Sequence, residues 1–310
     1  MKKPVDKATA IGTLCALVAS ILFGFSFLAV KLGINEVSAL SLLSWRFIFA
    51  FIAMTVCAAL GLFKIDLKGK DIRPLLSIAI FQPVIYFTAE TLGIARTTVA
   101  ESSAIIACIP LLTLVLSGPM LREWPMRRQW ISIAGSVLGV LLIGLQRGLT
   151  LSLSVSGYAL LCAAMVSDAV FVILSRRAQG YTSAEKTYVM AALGALVFTL
   201  AAFSEHLEAG TLRQFALLPF TNTRFLLGCL YLSIGSSVAA FLLFNQGIAA
   251  LGAARAASFA GLGTPVAVLG GILLFGERLT LLQAIGTALV VLGVYGANIL
   301  PKGTKEDTHT

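Results

Sequence analysis

Near its C-terminus the chain reads Gly276-Glu-Arg-Leu-Thr-Leu-Leu-Gln-Ala-Ile-Gly-Thr-Ala-Leu-Val-Val-Leu-Gly-Val294. Parts of this stretch also occur 154 residues earlier, since Glu277 matches Glu123 and Leu292-Gly293-Val294 matches Leu138-Gly139-Val140. Further pairs, with a slip of one residue at the prolines, are Gln129 and Gln283, Ile131 and Ile285, Gly93-Ile-Ala95 and Gly247-Ile-Ala249, and Pro110 and Pro265. A register that holds over about fifty residues indicates an internal duplication.

Composition predicts that the chain lies in a lipid bilayer. Of the 310 residues, 58% are hydrophobic and 12% are charged, whereas a soluble domain carries about 45–50% apolar and about 25% charged residues. The apolar residues come in runs of about 20, which is the length that crosses a bilayer as a helix. Because so apolar a surface would aggregate in water, the composition predicts an integral membrane protein rather than a soluble one.

Ten runs have the length of a membrane span, and their side chains do not alternate as those of barrel strands do. The predicted spans are 11–31, 39–63, 74–95, 98–121, 129–146, 155–175, 185–204, 224–248, 254–275 and 280–300. Each half, 1–150 and 151–310, holds five spans, and the odd number makes the second half enter the membrane from the opposite side. The predicted fold is an all-α membrane protein with ten transmembrane helices in two inverted five-helix repeats.

The basic residues predict the orientation of these spans. With a cytoplasmic N-terminus, sixteen Lys and Arg residues lie on the cytoplasmic side, six lie outside, and Arg46 falls within a span. The six outside are Lys31, Arg96, Arg147, Arg213, Arg224 and Arg278. This asymmetry follows the positive-inside rule. It predicts a multi-pass protein of the plasma membrane or cell inner membrane with both termini cytoplasmic, and it explains the positive charge without a nucleic-acid partner.

The motifs resemble those of the EamA-type drug/metabolite transporter superfamily. The stretch Gly276–Val294 is similar to the closing motif of that family. Phe23-Gly-Phe-Ser-Phe27 followed by Lys31, then Trp45-Arg46-Phe47 and Glu123, are similar to its first-half motif. The resemblance covers nearly the whole chain. It implies ten helices, cytoplasmic termini, a central cavity lined by both halves, and transport that is usually export, but it does not imply one substrate.

Four ionisable residues lie within or at the edges of spans, where a charge is costly and is therefore a functional hypothesis. Arg46, Glu90 and Glu101 fall in the outer half of the membrane, and Asp168 falls near the midplane. Pairing of Arg46 with Glu90 or Glu101 would form either a structural ion pair or an outer gate. Asp168 would act as a proton relay, bind a substrate cation, or form a structural hydrogen bond. Together the two signs of charge would suit a zwitterion.

Softer polar and aromatic groups are placed where they could line a cavity. The candidates are Gln82, Tyr86, Ser103, Ser237, Thr264 and Phe27, with Pro83, Ser102 and Ser236 beside them. Prolines within spans free backbone carbonyls, which is tolerated where those carbonyls line a cavity. Packing against lipid or other helices is the alternative for each of the aromatic residues.

The sequence lacks the constellations of soluble enzymes. No P-loop, G-x-S-x-G or H-E-x-x-H motif occurs, and His206 and His309 lie in a predicted loop and the C-terminal tail. The five cysteines lack metal-ligand spacing, so neither a cofactor nor a metal is predicted. The loop at 205–223 is read as an amphipathic connection. Energy must then come from a gradient of protons or of the substrate itself.

The predicted function is a secondary active transporter that exports small amphipathic metabolites, such as amino acids, by alternating access. A flippase-like transporter of a lipid-linked substrate is the nearer alternative, and an intramembrane enzyme is the more distant one. The predicted partners are a small-molecule substrate, protons as a coupling ion, and the bilayer, and a homodimer is left open.

Overall fold

A computed structural model of the chain describes residues 7–33, 37–97, 102, 105–145, 154–275 and 280–298. These residues form helices and connections without a strand, which confirms the all-helical class. The helices are α1 (Lys7–Gly33), α2 (Ala39–Ala59), α3 (Arg73–Ala79), α4 (Tyr86–Ile94), α5 (Ile109–Leu121), α6 (Arg127–Leu145), α7 (Val155–Arg177), α8 (Ser183–Glu208), α9 (Leu212–Thr221), α10 (Thr223–Leu230), α11 (Phe241–Leu251), α12 (Ala253–Ala260), α13 (Gly263–Phe275) and α14 (Leu281–Asn298). Two π-helical segments, π1 (Ile80–Ile85) and π2 (Tyr231–Ala240), join α3 to α4 and α10 to α11.

Eight helices in the described ranges are long and apolar enough to cross a membrane. Two of them, Arg73–Ile94 and Thr223–Leu251, each run through a π-helical segment. The helix bounds follow the predicted spans within a few residues, because apolar composition sets the length of a helix in lipid. Helix α5 is a shorter apolar helix of 13 residues, and the predicted span at 98–121 begins outside the described residues.

The two π-helical segments occupy equivalent positions in the duplicated sequence. Shifted by the 154-residue offset, Ile80–Ile85 falls within Tyr231–Ala240. In π1, Gln82 leaves helical geometry (φ −135°, ψ 109°), and Pro83 has no backbone N–H to donate. The hydroxyl of Ser167 in α7 donates to the Phe81 carbonyl at 2.7 Å, which also accepts from the Tyr86 backbone N–H. Both repeats therefore interrupt a spanning helix, as π-helical turns at functional sites often do.

Each interrupted helix packs against helices from the other half of the chain. Segment π1 contacts α7 and α8, whereas π2 contacts α1 and α2. Likewise, α4 of the first half packs against α7 of the second, and α11 of the second half packs against α1 of the first. Helices at equivalent positions also meet, α2 with α8 and α6 with α14. The packing places π1 beside α7 and π2 beside α2.

Glycine permits the closest helix contact, between α6 and α14. A Cβ added to Gly139 would lie 2.5 Å from the Gly286 oxygen, and a Cβ added to Gly286 would lie 2.5 Å from the Gly139 oxygen. The spacing Gly135-x-x-x-Gly139 predicts such a packing motif. No described atom lies within 4 Å of a Cβ added to Gly135, so only Gly139 supplies the contact.

Candidate functional site

Arg46 lies buried in α2 and is held by two serines of the other half. Its exposed fraction is 7%, although a guanidinium stays charged in proteins. The Arg46 Nε donates to Ser237 Oγ at 2.7 Å, and its Nη2 donates to Ser236 Oγ at 3.1 Å. Ser236 in turn lies 3.5 Å from the hydroxyl of Ser26 in α1. The π2 interruption thus presents hydroxyl groups to the charged residue of the first half.

Aromatic rings complete the surroundings of Arg46. The Arg46 Cζ lies 4.5 Å from the centroid of the Phe87 ring and 5.6 Å from that of Phe47. A cation over a ring face is attracted by the ring quadrupole, and the attraction grows when water is excluded. Sequence reasoning missed Phe87 and Ser26, because nothing local in the sequence indicates which elements face Arg46 across the bundle.

The predicted Arg46–Glu90 ion pair does not form in the structure. No salt bridge within 4.0 Å joins these two residues, both of which are described. The Glu90 Oε1 instead accepts a hydrogen bond from the Tyr86 hydroxyl at 2.7 Å, one helical turn away. Glu90 remains close enough to Arg46 for an electrostatic interaction. The other predicted partner, Glu101, lies outside the described residues.

Asp168 joins this group from the second half. It lies half-buried in α7 and interacts electrostatically with Glu90 and Tyr86. Among the described residues no hydrogen bond to its carboxyl group occurs. Glu90 interacts electrostatically with both Arg46 and Asp168, and we name these residues and the hydrogen-bond partners of Arg46 and Glu90 the Arg46 cluster. Its members are Arg46, Tyr86, Glu90, Asp168, Ser236 and Ser237.

The remaining predicted site residues have different positions. Gln82 is 3% exposed, and its Oε1 atom has no hydrogen-bond partner in the described chain. No hydrogen bond among described residues connects the Thr264 side chain in α13 to the Arg46 cluster. Ser103 lies outside the described residues, as does the side chain of Phe27.

The Arg46 cluster is partly closed to solvent, because Tyr86, Glu90 and Asp168 are half-buried whereas the other three members are buried. Ser236 and Ser237 are 1% and 2% exposed, like Arg46 at 7%. Two open surface pockets lie elsewhere, one of about 320 Å³ along α9 and one of about 200 Å³ beside Glu123. A ligand therefore requires a conformational change to reach Arg46, Ser236 and Ser237, the buried part of the cluster.

A second buried cation lies nearer one end of the bundle. Lys186 in α8 is 2% exposed, and its Nζ donates to the Ser175 carbonyl at 2.5 Å. The Ser175 hydroxyl donates to Asn245 Oδ1 at 2.6 Å. The sequence predicts Lys186 among the cytoplasmic loop charges, but α8 begins at Ser183 and its first turn packs inside the bundle. Lys186 therefore joins the first turn of α8 to the last turn of α7.

Ion pairs join the two halves at the end of the bundle near Lys186, which we name the Glu123 end. Arg176 Nε donates to Glu123 Oε1 at 2.7 Å, and Lys70 Nζ donates to Glu185 Oε1 at 2.6 Å. The hydrogen bond to Glu185 raises the pKa of Lys70 above its ordinary value. All four residues come from the last turns, first turns or connections of helices.

The opposite end, which we name the His206 end, is joined without an ion pair among described residues. Ser38 donates to Glu205 Oε2 at 3.1 Å, and Ser41 Oγ lies 2.6 Å from His206 Nε2. Trp45 Nε1 donates to the Phe215 carbonyl at 3.1 Å. Ion pairs therefore join the two halves at the Glu123 end, whereas hydrogen bonds that include neutral groups join them at the His206 end.

Comparison with known proteins identifies the family. The model of the EamA-like transporter family matches residues 10–145 and again 155–299. The uncharacterized transporter YcxC of Bacillus subtilis (strain 168) is 31% identical over 295 residues, 94% of each chain. An uncharacterized transporter of Archaeoglobus fulgidus is 28% identical over 283 residues, 88% of this chain and 93% of the relative. A crystal structure of 16% identity shares the fold, with a TM-score of 0.76 over 93% of this chain and 96% of that chain. As its motifs predict, this integral membrane protein belongs to the EamA-like transporter family.

Proposed function

We propose that the chain is a secondary active transporter that exports small amphipathic metabolites, such as amino acids, by alternating access. In this proposal ten transmembrane helices form two inverted halves, 1–150 and 151–310, with both termini in the cytoplasm. The two matches to the family model and the equivalent interruptions at π1 and π2 support the duplication. The sixteen-to-six distribution of basic residues supports the orientation.

The observation that carries the proposal is that both halves contribute to one polar cluster, whose core of Arg46, Ser236 and Ser237 is buried. Arg46 and Glu90 come from the first half, whereas Asp168, Ser236 and Ser237 come from the second. A site between inverted repeats can open to either side of the membrane when the halves rock against each other. The burial of Arg46, Ser236 and Ser237 fits a stage of such a cycle in which this part of the site is closed.

The Arg46 cluster has groups for each part of a zwitterion. A guanidinium binds a carboxylate with two parallel hydrogen bonds, and the carboxyl groups of Glu90 and Asp168 can accept from an ammonium group. The rings of Phe47 and Phe87 offer apolar surface to the rest of the substrate. We assign proton coupling to Asp168, because intramembrane carboxyl groups serve as proton relays.

Counterflow exchange in proteoliposomes tests the proposal. The purified chain is reconstituted with an internal pool of one compound and given the labelled compound outside, for a panel of amino acids, nucleosides and organic cations. We expect saturable exchange of zwitterionic amino acids, its loss in Arg46→Gln, and its retention in Arg224→Gln, since Arg224 is exposed. Unchanged exchange in a folded Arg46→Gln variant contradicts the site. If the wild type exchanges no compound of the panel above the level of empty liposomes, a lipid-linked substrate is favoured.

A further inference from the structure

Helix α9 is confined to the membrane surface by its two neighbours. It runs from Leu212 to Thr221, between α8, which ends at Glu208, and α10, which begins at Thr223. Both neighbours belong to helices with the length and composition of membrane spans. A ten-residue helix is about 15 Å long, and so short a link between two spans must lie where they leave the bilayer. The predicted amphipathic loop at 205–223 is therefore mostly helical.

One side of α9 is fastened to the bundle. Phe215 and Pro219, four residues apart, are buried. The Phe215 ring lies 5.8 Å from the Trp45 ring and stacks on His206 at 5.0 Å, centroid to centroid. Together with the hydrogen bond from Trp45 to the Phe215 carbonyl, these contacts fix which face of α9 points away from the protein.

The outward face carries one cation beside large apolar side chains. Phe220 is 81% exposed and Leu217 is 40% exposed. Arg213 lies one turn before Leu217 on the same face, and no hydrogen bond or ion pair joins it to another described residue. A groove of about 320 Å³ runs along this face. It is lined by Arg213, Gln214, Leu217, Leu218 and Thr221.

We propose that this groove binds an anionic phospholipid, with its phosphate on Arg213 and the start of an acyl chain on Leu217 and Leu218. A guanidinium is suited to phosphate recognition, and a helix with basic and large apolar groups at an interface binds both lipid headgroups and acyl chains. The occupant is a lipid because α9 is held at the bilayer surface, where phospholipid is present throughout. The inference requires only a membrane protein and is independent of the transported substrate.

Native mass spectrometry of the detergent-purified full chain tests this site. Phosphatidylglycerol or phosphatidylcholine is titrated in, and the populations of lipid-bound chain give relative affinities. We expect the wild type to retain phosphatidylglycerol preferentially and Arg213→Gln to bind it about fivefold more weakly, as removal of one interfacial charge predicts. Arg224→Gln is the matched control, because it removes an exposed arginine outside the groove. Leu217→Ser should weaken retention of both lipids, because Leu217 lines the groove.

The outcomes separate a built site from a diffuse charge effect. Equal loss in Arg213→Gln and Arg224→Gln, or no loss in Arg213→Gln, overturns the proposal. Competition by soluble glycerol phosphate as strong as that by the lipid also overturns it, because the groove would then be a phosphate site. Wild-type melting temperatures in detergent for all variants establish that each chain is folded. Counterflow exchange can fail while this preference is observed, so the two proposals are tested separately.

Discussion

The fork geometry of Arg46 distinguishes it from a simple buried charge. Lysine at this position would keep the charge but could not reach Ser236 and Ser237 with the same rigid pair of donors. Loss of one hydrogen bond to a charged group costs about 1.5–3 kcal/mol. We therefore expect Arg46→Lys to lower the counterflow exchange rate by about tenfold or more, measured at a substrate concentration below saturation.

The control for this substitution is Arg224→Lys, which changes an exposed arginine in the same way and should leave exchange unchanged. Ser237→Ala should fall between the wild type and Arg46→Lys, because it removes the shorter of the two hydrogen bonds. Full activity in Arg46→Lys would mean that only the positive charge matters at this position, and the proposed two-point binding of a carboxylate would then be wrong.

Substitution of Asp168 should distinguish proton coupling from substrate binding. We expect Asp168→Asn to retain counterflow exchange but lose accumulation driven by a pH gradient, because an amide of the same shape can still hydrogen-bond a substrate but cannot exchange a proton. The measurement compares exchange with gradient-driven uptake in the same proteoliposomes. Glu90→Gln is the informative companion, since Glu90 is the nearby carboxyl group already hydrogen-bonded to Tyr86.

Gradient-driven accumulation that survives in Asp168→Asn would assign the proton to another group or remove protons from the mechanism. Loss of both exchange and accumulation in a folded Asp168→Asn chain would instead place Asp168 in substrate binding. The Glu90→Gln variant decides whether the two carboxyl groups are equivalent, because equal behaviour would make them one coupled pair.

At the scale of the element, the α6–α14 contact offers a test with an internal control. Alanine at Gly139 would drive its Cβ into the backbone of α14, and overpacking costs about 1–3 kcal/mol. Alanine at Gly135 meets open space and improves helix propensity by about 0.5–1 kcal/mol. We expect Gly139→Ala to lower the thermal unfolding midpoint in detergent and Gly135→Ala to leave it unchanged or raise it slightly. A similar loss in both variants would contradict the close packing.

Most of the element scale could be predicted from the sequence, because lipid imposes one length and one polarity on each span. The predicted span 155–175 and the observed Val155–Arg177 differ by only a few residues. The interruption at Gln82 could not be derived in detail, because Pro83 alone does not say that the chain leaves helical geometry there or that Ser167 donates to the Phe81 carbonyl. This hydrogen bond is a tertiary contact between residues 86 positions apart.

The sequence allowed the charged residues of the candidate site to be predicted, but not the groups that contact them. The cost of an ionisable group in lipid singles out Arg46 and Asp168 from the sequence alone. Which groups satisfy Arg46 depends on the reciprocal packing of the halves, which places Ser236 and Ser237, some 190 residues away, beside it. Lys186 was missed for a related reason, because a position near a helix end does not show whether the side chain points to water or into the bundle.

At the scale of the whole molecule, the two ends of the bundle differ in what holds them closed. Glu123 and Arg176 join the halves at the Glu123 end. Removing either charge should shift the population toward a state open at that end. We expect Glu123→Gln to raise the maleimide labelling rate of a cysteine introduced at the buried Thr187 by about two- to fivefold. This is the population shift that corresponds to the free energy of a partly exposed ion pair. The five native cysteines are replaced in this background.

A double-mutant cycle supplies the control for the Glu123 end. Arg176→Gln and the double variant should each give the same increase as Glu123→Gln, because the first substitution already removes the shared interaction. Additive increases would mean that the two residues act separately, through the Ala253 amide at Glu123 and the Ala249 carbonyl at Arg176. The ion pair would then not be the closing contact.

The second ion pair of the Glu123 end makes a prediction about pH. The hydrogen bond to Glu185 raises the pKa of Lys70 above 10.5, and a group whose pKa is raised on folding stabilises the fold below its unfolded pKa and loses that effect as pH rises through the folded one. The contact is therefore intact throughout a measuring range whose limits, about pH 7 and about pH 9, both lie below the ordinary pKa of lysine, about 10.4. We expect Lys70→Gln to lower the melting temperature equally at both limits and to leave the pH midpoint of transport where it is in the wild type. A shifted pH midpoint of transport in Lys70→Gln would mean that protons are sensed at the Glu123 end and not at Asp168. An unshifted midpoint in Lys70→Gln, together with loss of the midpoint in Asp168→Asn, would assign proton sensing to Asp168.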